Sequence, residues 1–301
     1  MNYTIHQLQI FLKVVQKRSI TKASEELFMT QPAVSIQLKN FQDQFDIPLT
    51  EVIGRQLHIT DFGKEIATMA ERVLDELDNI NYKTQAYQGM MTGKLKISSA
   101  STGKYVIPYF LSGFMEKHTG IDLILDVTNK TRVIESLKNN EIDFALVSVI
   151  PEQLNIEQEQ LIENKLYLVG NTPEKNENKP LIYREEGSAT RMAMEQYFAT
   201  HEKYARKRME LTSNEAVKQA VIAGLGYSIV PLIGLHNELM NNQIYILPTD
   251  DLPIKTDWCL IWLKDKKLSP VSLAFLEFIR SEKQNILHES FEWYLSYRNG
   301  D

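Results

Sequence analysis

The chain has 301 residues, 43% of them apolar and 24% charged, with 13 Gly and 10 Pro, a balance that excludes disordered and fibrous classes. A net charge of −6 excludes a generally basic coat for nucleic acid. One cysteine, Cys259, excludes an internal disulfide and a multi-thiolate zinc site, and its setting in DWCLIWL reads as a buried, inert thiol.

The N-terminal MNYTIHQLQIFLKVVQKR is a helical pattern interrupted by Gln and His, unlike a secretory segment. No apolar run approaches the roughly 18–20 residues of a spanning helix. The chain therefore reads as soluble and cytoplasmic, with no membrane partner, and its length predicts two or three domains. Residues 1–60 carry six Lys/Arg against five Asp/Glu, so the head is slightly basic on an acidic body.

Apolar positions 5, 8, 11, 12 and 15 predict a first helix. Ile20, Ala23 and Leu27 mark a second, with Thr21 as its expected N-cap. A tight corner at Phe28-Met29 leads to a third, capped by Thr30, with Pro32 in its first turn and Ala33, Val34, Leu38, Phe41 and Phe45 at helical spacing. If Ala23 and Leu27 pack under Val34 and Leu38, the opposite face shows Gln31, Ser35, Gln37 and Lys39. Short hydroxyl and amide groups at a helix N-terminus suit base edges and phosphates in a major groove. An ordinary helix corner with a solvated polar face fits the same pattern.

The residues themselves go further. Ala23-Ser24, Leu27, Thr30-Gln31-Pro32-Ala33-Val34-Ser35 and Leu57-His58-Ile59-Thr60-Asp61-Phe62-Gly63 follow one another in order. This stretch, Leu8 to Gly63, resembles the winged helix-turn-helix of LysR-type transcriptional regulators. The resemblance implies double-stranded DNA as a partner, with Thr30, Gln31, Pro32, Ser35, Gln37, Lys39 and Arg55 as its contacts. Two departures matter. Ile36 stands where the family commonly has Arg, and Leu49-Thr50-Glu51-Val52 stands where Leu-Phe-x-Arg is usual. Two phosphate-reaching cations are missing, so weaker non-specific affinity is expected.

Residues 60–89 predict a long helix, capped by Thr60 and ended by Gly89, with apolar residues at 66, 69, 70, 73, 74, 77 and 80. Its stripe packs on its own domain or pairs two chains. The resemblance favours a dimer seam at Ile66, Met69, Val73, Leu77 and Ile80, in a homodimer or a tetramer built as a dimer of dimers, with RNA polymerase as a further partner.

Beyond Met91 the texture becomes α/β. Strands are predicted at 95–100, 121–127 and 142–149, with helices at 104–117 and 131–139 between them. A second set follows: strands at 165–170, 180–185, 210–213, 225–231 and 256–264, and helices near 190–200, 214–223 and 269–283. Residues 286–297 read as an amphipathic extension.

Ser98 to Gly103 follows the first strand and precedes a helix, which makes either an anion site or a turn that caps its helix. Tyr183 to Arg191 repeats that chemistry, and Arg191 can grip a carboxylate or phosphate. The loops are similar to those of the sulfur- and carbon-assimilation branch of the same family, as are Asn129, Ser213 to Lys218 and Ala223 to Tyr227. That similarity implies a type-two periplasmic-binding-protein-like effector domain of two α/β subdomains. Its expected ligand contacts are Ser99, Ala100, Ser101, Thr102, Asn129, Ser148, Ser188, Thr190, Arg191 and Asn214, around a small anionic metabolite.

The expected organisation is a winged helix-turn-helix at 1–60, a linker and dimerisation helix at 61–90, and the effector domain at 91–301. Subdomain I would take about 91–149 and 264–301, and subdomain II about 150–263, with crossings near Ser148-Val149 and Trp262-Leu263. Enzyme readings find little support. The six His, at 6, 58, 118, 201, 236 and 288, lack metal-ligand spacing, and neither a Gly-x-Ser-x-Gly elbow nor a phosphate loop is present. Ala223-Gly224-Leu225-Gly226-Tyr227 reads as a helix C-cap entering a strand, and no cofactor or metal is expected. A solute-binding module, or an enzyme on the same two-lobed fold, stays open at this level.

Overall fold

A computed structural model describes residues 2–54, 56–86, 91–176, 178–201 and 206–297, the side chains at 79 and 81–86 excepted. The chain divides into two compact units, Met1–Gly93 and Lys94–Asp301.

In the first unit α1 (Ile5–Lys17) opens with a capping box between Thr4 and Gln7. It packs on α2 (Ile20–Glu26) and α3 (Gln31–Gln42), then β1 (Thr50–Ile53) and β2 (Gln56–Ile59) form an antiparallel wing. α4 (Asp61–Ala86) closes the unit. Ile10, Phe11, Val14, Ala23, Val34, Phe41 and Leu49 are wholly buried in one core. α2 starts earlier than expected: Ser19, not Thr21, accepts the Lys22 N–H as N-cap, which brings Ile20 onto the packed face. α3 ends at Gln42 rather than running on to Phe45, because Gln44 and Phe45 turn back onto the Phe41 and Gln42 carbonyls. Phe45 still stacks on Tyr3 and meets Phe62. Gly63 has a steric reason: a Cβ there would sit 2.0 Å from the Leu49 carbonyl oxygen, where Thr60 caps α4. Gly89, the expected end of α4, lies outside the described residues.

In the second unit β3 (Thr92–Ala100) runs into a 3-10 turn at Ser101–Tyr105, then α5 (Ile107–Lys117), β4 (Gly120–Thr128), α6 (Lys130–Lys138) and β5 (Phe144–Val147). β6 (Ile156–Gly170) is followed by β7 (Leu181–Arg184), α7 (Ala189–His201), β8 (Arg208–Leu211), α8 (Asn214–Ile222), β9 (Ser228–Pro231), α9 (His236–Met240) and β10 (Tyr245–Ile246). β11 (Ile254–Leu263) and α10 (Pro270–Ser296) finish the chain.

One seven-stranded sheet runs in the order β10-β6-β11-β5-β3-β4, with β9 also on β6. β7 and β8 pair in parallel, and a bridge from Leu181 to Tyr227 joins them to the β9 side. β11 pairs with β6 along its whole length, from Ile254 to Leu263, whereas only Cys259–Ile261 of β11 reach β5 and only the far end of β6 reaches β9 and β10. The two halves therefore share this long ribbon. Gly224, at φ +78, ends α8, with Leu225 N–H bonded to Ala220 O. α10 runs unbroken through residues 284–285, where a separate extension was expected to begin, and is two helical stretches meeting at a kink at Phe291. Its end bridges both halves: Phe291 meets Tyr109, Trp293 stacks on His236 with centroids 4.1 Å apart, and the Tyr294 hydroxyl sits on β6.

Candidate functional site

α3 buries Val34, Leu38 and Phe41, which turns Gln31, Pro32, Ile36, Lys39 and Asn40 outward and leaves Ser35 half-buried beside them. The Thr30 hydroxyl accepts the Ala33 N–H, and Pro32 occupies the first turn, where its missing N–H costs nothing. Gln37 departs from the expected face. It is half-buried, and its Oε1 accepts from Gln7 Nε2 at 3.3 Å, because α1 packs against that side. Arg55 lies outside the described residues.

A groove beside the wing is lined by Arg18, Ser19, Thr21, Val52, Gln56, His58 and Lys64. Arg18, in the left-handed region at φ 49, and Lys22 are exposed cations that sequence reading did not select. Their signal is indirect: Lys13 and Lys17 are taken up by Glu26, so the cations left over are those that follow them.

In the second unit the loop after β3 and the loop after β7 approach each other. Arg184 closes β7 with its residue 3% exposed. Its Nε and Nη2 each donate to the Glu185 carboxylate at 2.8 Å, and Nη1 donates to Asn214 Oδ1. Both terminal nitrogens also donate to Ser101 Oγ at 3.3 Å, and Asn214 Nδ2 donates to the same oxygen at 3.1 Å. A buried cation thus joins the two subdomains through a serine and an asparagine. Gly187, at φ +81, makes a second close approach: a Cβ there would lie 2.7 Å from Thr131 Oγ1 and 3.7 Å from Asn129 Cγ. Asn129 caps α6 by accepting the Arg132 N–H.

Of the expected ligand contacts, Ser101 and Asn214 come together and Asn129 faces the Gly187 loop. Ser99, Ala100, Thr102, Ser188 and Thr190 are buried, and Ser99 Oγ donates to the Ala100 carbonyl. Ser148 is half-buried just beyond β5. Arg191 is held away from Ser101 by Glu195 at 3.0 Å, Glu210 at 2.6 Å and the Arg184 carbonyl at 3.1 Å, and the carboxylates raise its pKa. The guanidinium that reaches across is Arg184, which sequence reading passed over. Lys130 adds a half-buried amine at the start of α6, lowered in pKa by desolvation against the opposing charge of Glu152. The cluster thus gathers two cations, a serine hydroxyl and an asparagine amide, with Glu185 already paired to Arg184. Among the described residues no three His, Cys, Asp or Glu converge as a metal site, and no helix is long and apolar enough to cross a membrane.

Comparison with known proteins gives two family matches, "Bacterial regulatory helix-turn-helix protein, lysR family" over residues 5–64 and "LysR substrate binding domain" over residues 88–284. The chain is 35% identical to the HTH-type transcriptional activator CmpR of a Synechocystis species, covering 92% of this chain and 95% of that one. It is 34% identical to a RuBisCO operon transcriptional regulator of Allochromatium vinosum, covering 94% and 97%. Among solved structures, the Synechocystis PCC6803 CcmR regulatory domain in complex with 2-PG is 33% identical and covers 64% of this chain and 99% of that one, with a TM-score of 0.60. Full-length CbnR complexed with target DNA shares the fold at 19% identity and a TM-score of 0.68, covering 92% and 99%.

Proposed function

The chain belongs to the LysR family of bacterial transcriptional regulators, and from that membership we propose that the outward face of α3 reads its operator while the Arg184 cluster takes the effector. The protein is a DNA-binding regulator switched by a small molecule. Thr30, Gln31, Pro32, Ser35 and Lys39 contact the major groove, with Arg55 and the wing on the backbone; Gln37, tied to Gln7, positions α1 against α3. Arg18 and Lys22 supply phosphate contacts in place of the cations this family usually carries near Ile36 and Val52.

The ligand is a small anion, with the 2-PG of the CcmR complex as the first candidate, bound between the subdomains near Ser101, Asn129, Lys130, Ser148, Arg184 and Asn214. The single observation behind this is the buried Arg184 guanidinium at the junction of the two halves: Glu185 holds its Nε and Nη2, and its terminal nitrogens also reach Ser101 and Asn214, the groups a ligand would engage with it. A ligand that favours one interdomain arrangement by roughly 1–3 kcal/mol gives useful coupling to DNA. Ser188, Thr190 and Arg191 then shape the second loop from its far side. Met69, Val73 and Ile80 stand exposed on α4 while Ala67 and Ala70 face the unit's own core, which supports a second copy along that stripe, Leu77 included; Ile66 shares both faces. Assembly as a dimer of dimers and contact with RNA polymerase complete the reading.

Footprinting upstream of the protein's own gene, with and without 2-PG or inorganic phosphate, tests it. A protected two-fold site whose extent changes with one of these anions, and which loses that response in Asn214→Ala, is expected. Protection indifferent to every small anion tried up to millimolar levels would refute the effector assignment, and sequence-blind binding would refute the DNA assignment.

A further inference from the structure

Ile36 is 58% exposed at the centre of the outward face of α3, one turn from Pro32 and one turn from Asn40. Its neighbours on that face, Gln31, Ser35, Lys39 and Asn40, all carry donors or acceptors. They can satisfy the polar edges of bases and the phosphates. Ile36 can satisfy neither, and pressing it against a polar base edge would strip water from groups it cannot bond. The major groove offers one apolar feature, the C5-methyl of thymine. The residue also lies in the N-terminal half of α3, the part of a recognition helix that reaches base edges.

We propose that Ile36 is a specificity-determining residue that reads a thymine methyl in each half-site. This rests on the assignment of α3 as the recognition helix. The wing carries a parallel character: Val52 and Ile53 are 69% and 59% exposed, so this surface is apolar at points away from its cations.

Selection from a randomised duplex pool by the full-length protein yields the operator, and deoxyuridine then replaces each thymine of the half-sites in turn. Deoxyuridine differs from thymidine only in lacking the methyl, so base pairing and polar contacts are retained. One symmetric position is expected to weaken wild-type binding about fourfold when changed in one half-site and roughly fifteenfold when changed in both, the value of one buried carbon. Ile36→Ala is expected to bind thymine and uracil operators alike, while Ile36→Val keeps the discrimination. Because the decisive change is in the DNA, the result does not depend on a variant folding. Wild-type binding that is indifferent to uracil at every position overturns the inference alone. So does an Ile36→Ala protein that still discriminates. A pool that yields no shared motif overturns the recognition-helix reading and this inference with it.

Discussion

Replacing Tyr294 by Phe removes one oxygen from a place where the backbone of β6 depends on it. Along Leu166–Val169 the open side of β6 is paired with β9, but that pairing stops before Lys165. There the Tyr294 hydroxyl takes over, accepting the Lys165 N–H at 2.9 Å and donating to the Glu163 carbonyl at 2.7 Å. Tyr294 is wholly buried and Lys165 is 9% exposed, so water does not readily substitute, and burial raises the phenol pKa well above its usual value. Two hydrogen bonds at about 1 kcal/mol each, plus part of the cost of leaving a buried N–H unsatisfied, give a loss of about 2–3 kcal/mol. The assay is urea unfolding of the full chain followed by tryptophan fluorescence. All three tryptophans, Trp258, Trp262 and Trp293, lie in the second unit, so the signal reports that unit. Tyr109→Phe, at a half-exposed ring, sets the baseline. A loss below about 0.5 kcal/mol, within the range of ordinary surface substitutions, would refute the reasoning.

Phe28 is 98% exposed and held at φ 52, so Phe28→Asn relieves left-handed strain without losing burial and should stabilise the first unit by up to about 1 kcal/mol, read as slower amide exchange in α1. The His201 pKa is raised by its bond to Asp251 and by the Tyr197 carbonyl. Its stabilising contribution is therefore full below about pH 6.5 and is lost as pH rises through the higher folded value. NMR titration should show that value falling in Asp251→Asn; an unchanged titration would remove the pair as its cause. Burial pushes the Cys259 thiol up to about 11, so iodoacetamide at pH 8 should label it only after denaturation. Rapid labelling of the native chain would contradict the packing described.

The fold was legible wherever apolar spacing alone decides an element. The core positions Leu8, Phe11, Val34, Leu38 and Phe41 follow the helical period and are buried. β6 was half hidden for the opposite reason. Its first stretch, Ile156–Asn164, is mostly polar or charged, and it is a strand because β11 pairs with it from Ile156 to Leu166. That is a contact 88 to 107 residues distant along the chain. α10 was expected as a helix over 269–283 and a separate extension over 286–297; the helix runs through that gap and kinks at Phe291 instead, which seats Phe291 against Tyr109 and Phe110.

The cleft shows the same limit more sharply. Two arginines stand seven residues apart around one short polar loop, and composition gives no reason to prefer either. Arg191 was favoured because it closes the second polar loop and can grip a carboxylate or phosphate. The helix then places it four residues before Glu195 and beside β8, where Glu210 completes its coordination. Arg184 ends a strand whose four residues are all buried, a position where a guanidinium is tolerated only with partners. The adjacent Glu185 is one such partner, visible in the sequence as an Arg-Glu pair closing an apolar run. The others, Ser101 and Asn214, come from 83 residues before and 30 residues after it. A charged residue at the carboxyl end of an otherwise apolar strand is therefore the stronger local sign of a polar cluster between loops, since burial of that charge already requires the surrounding chain to converge on it.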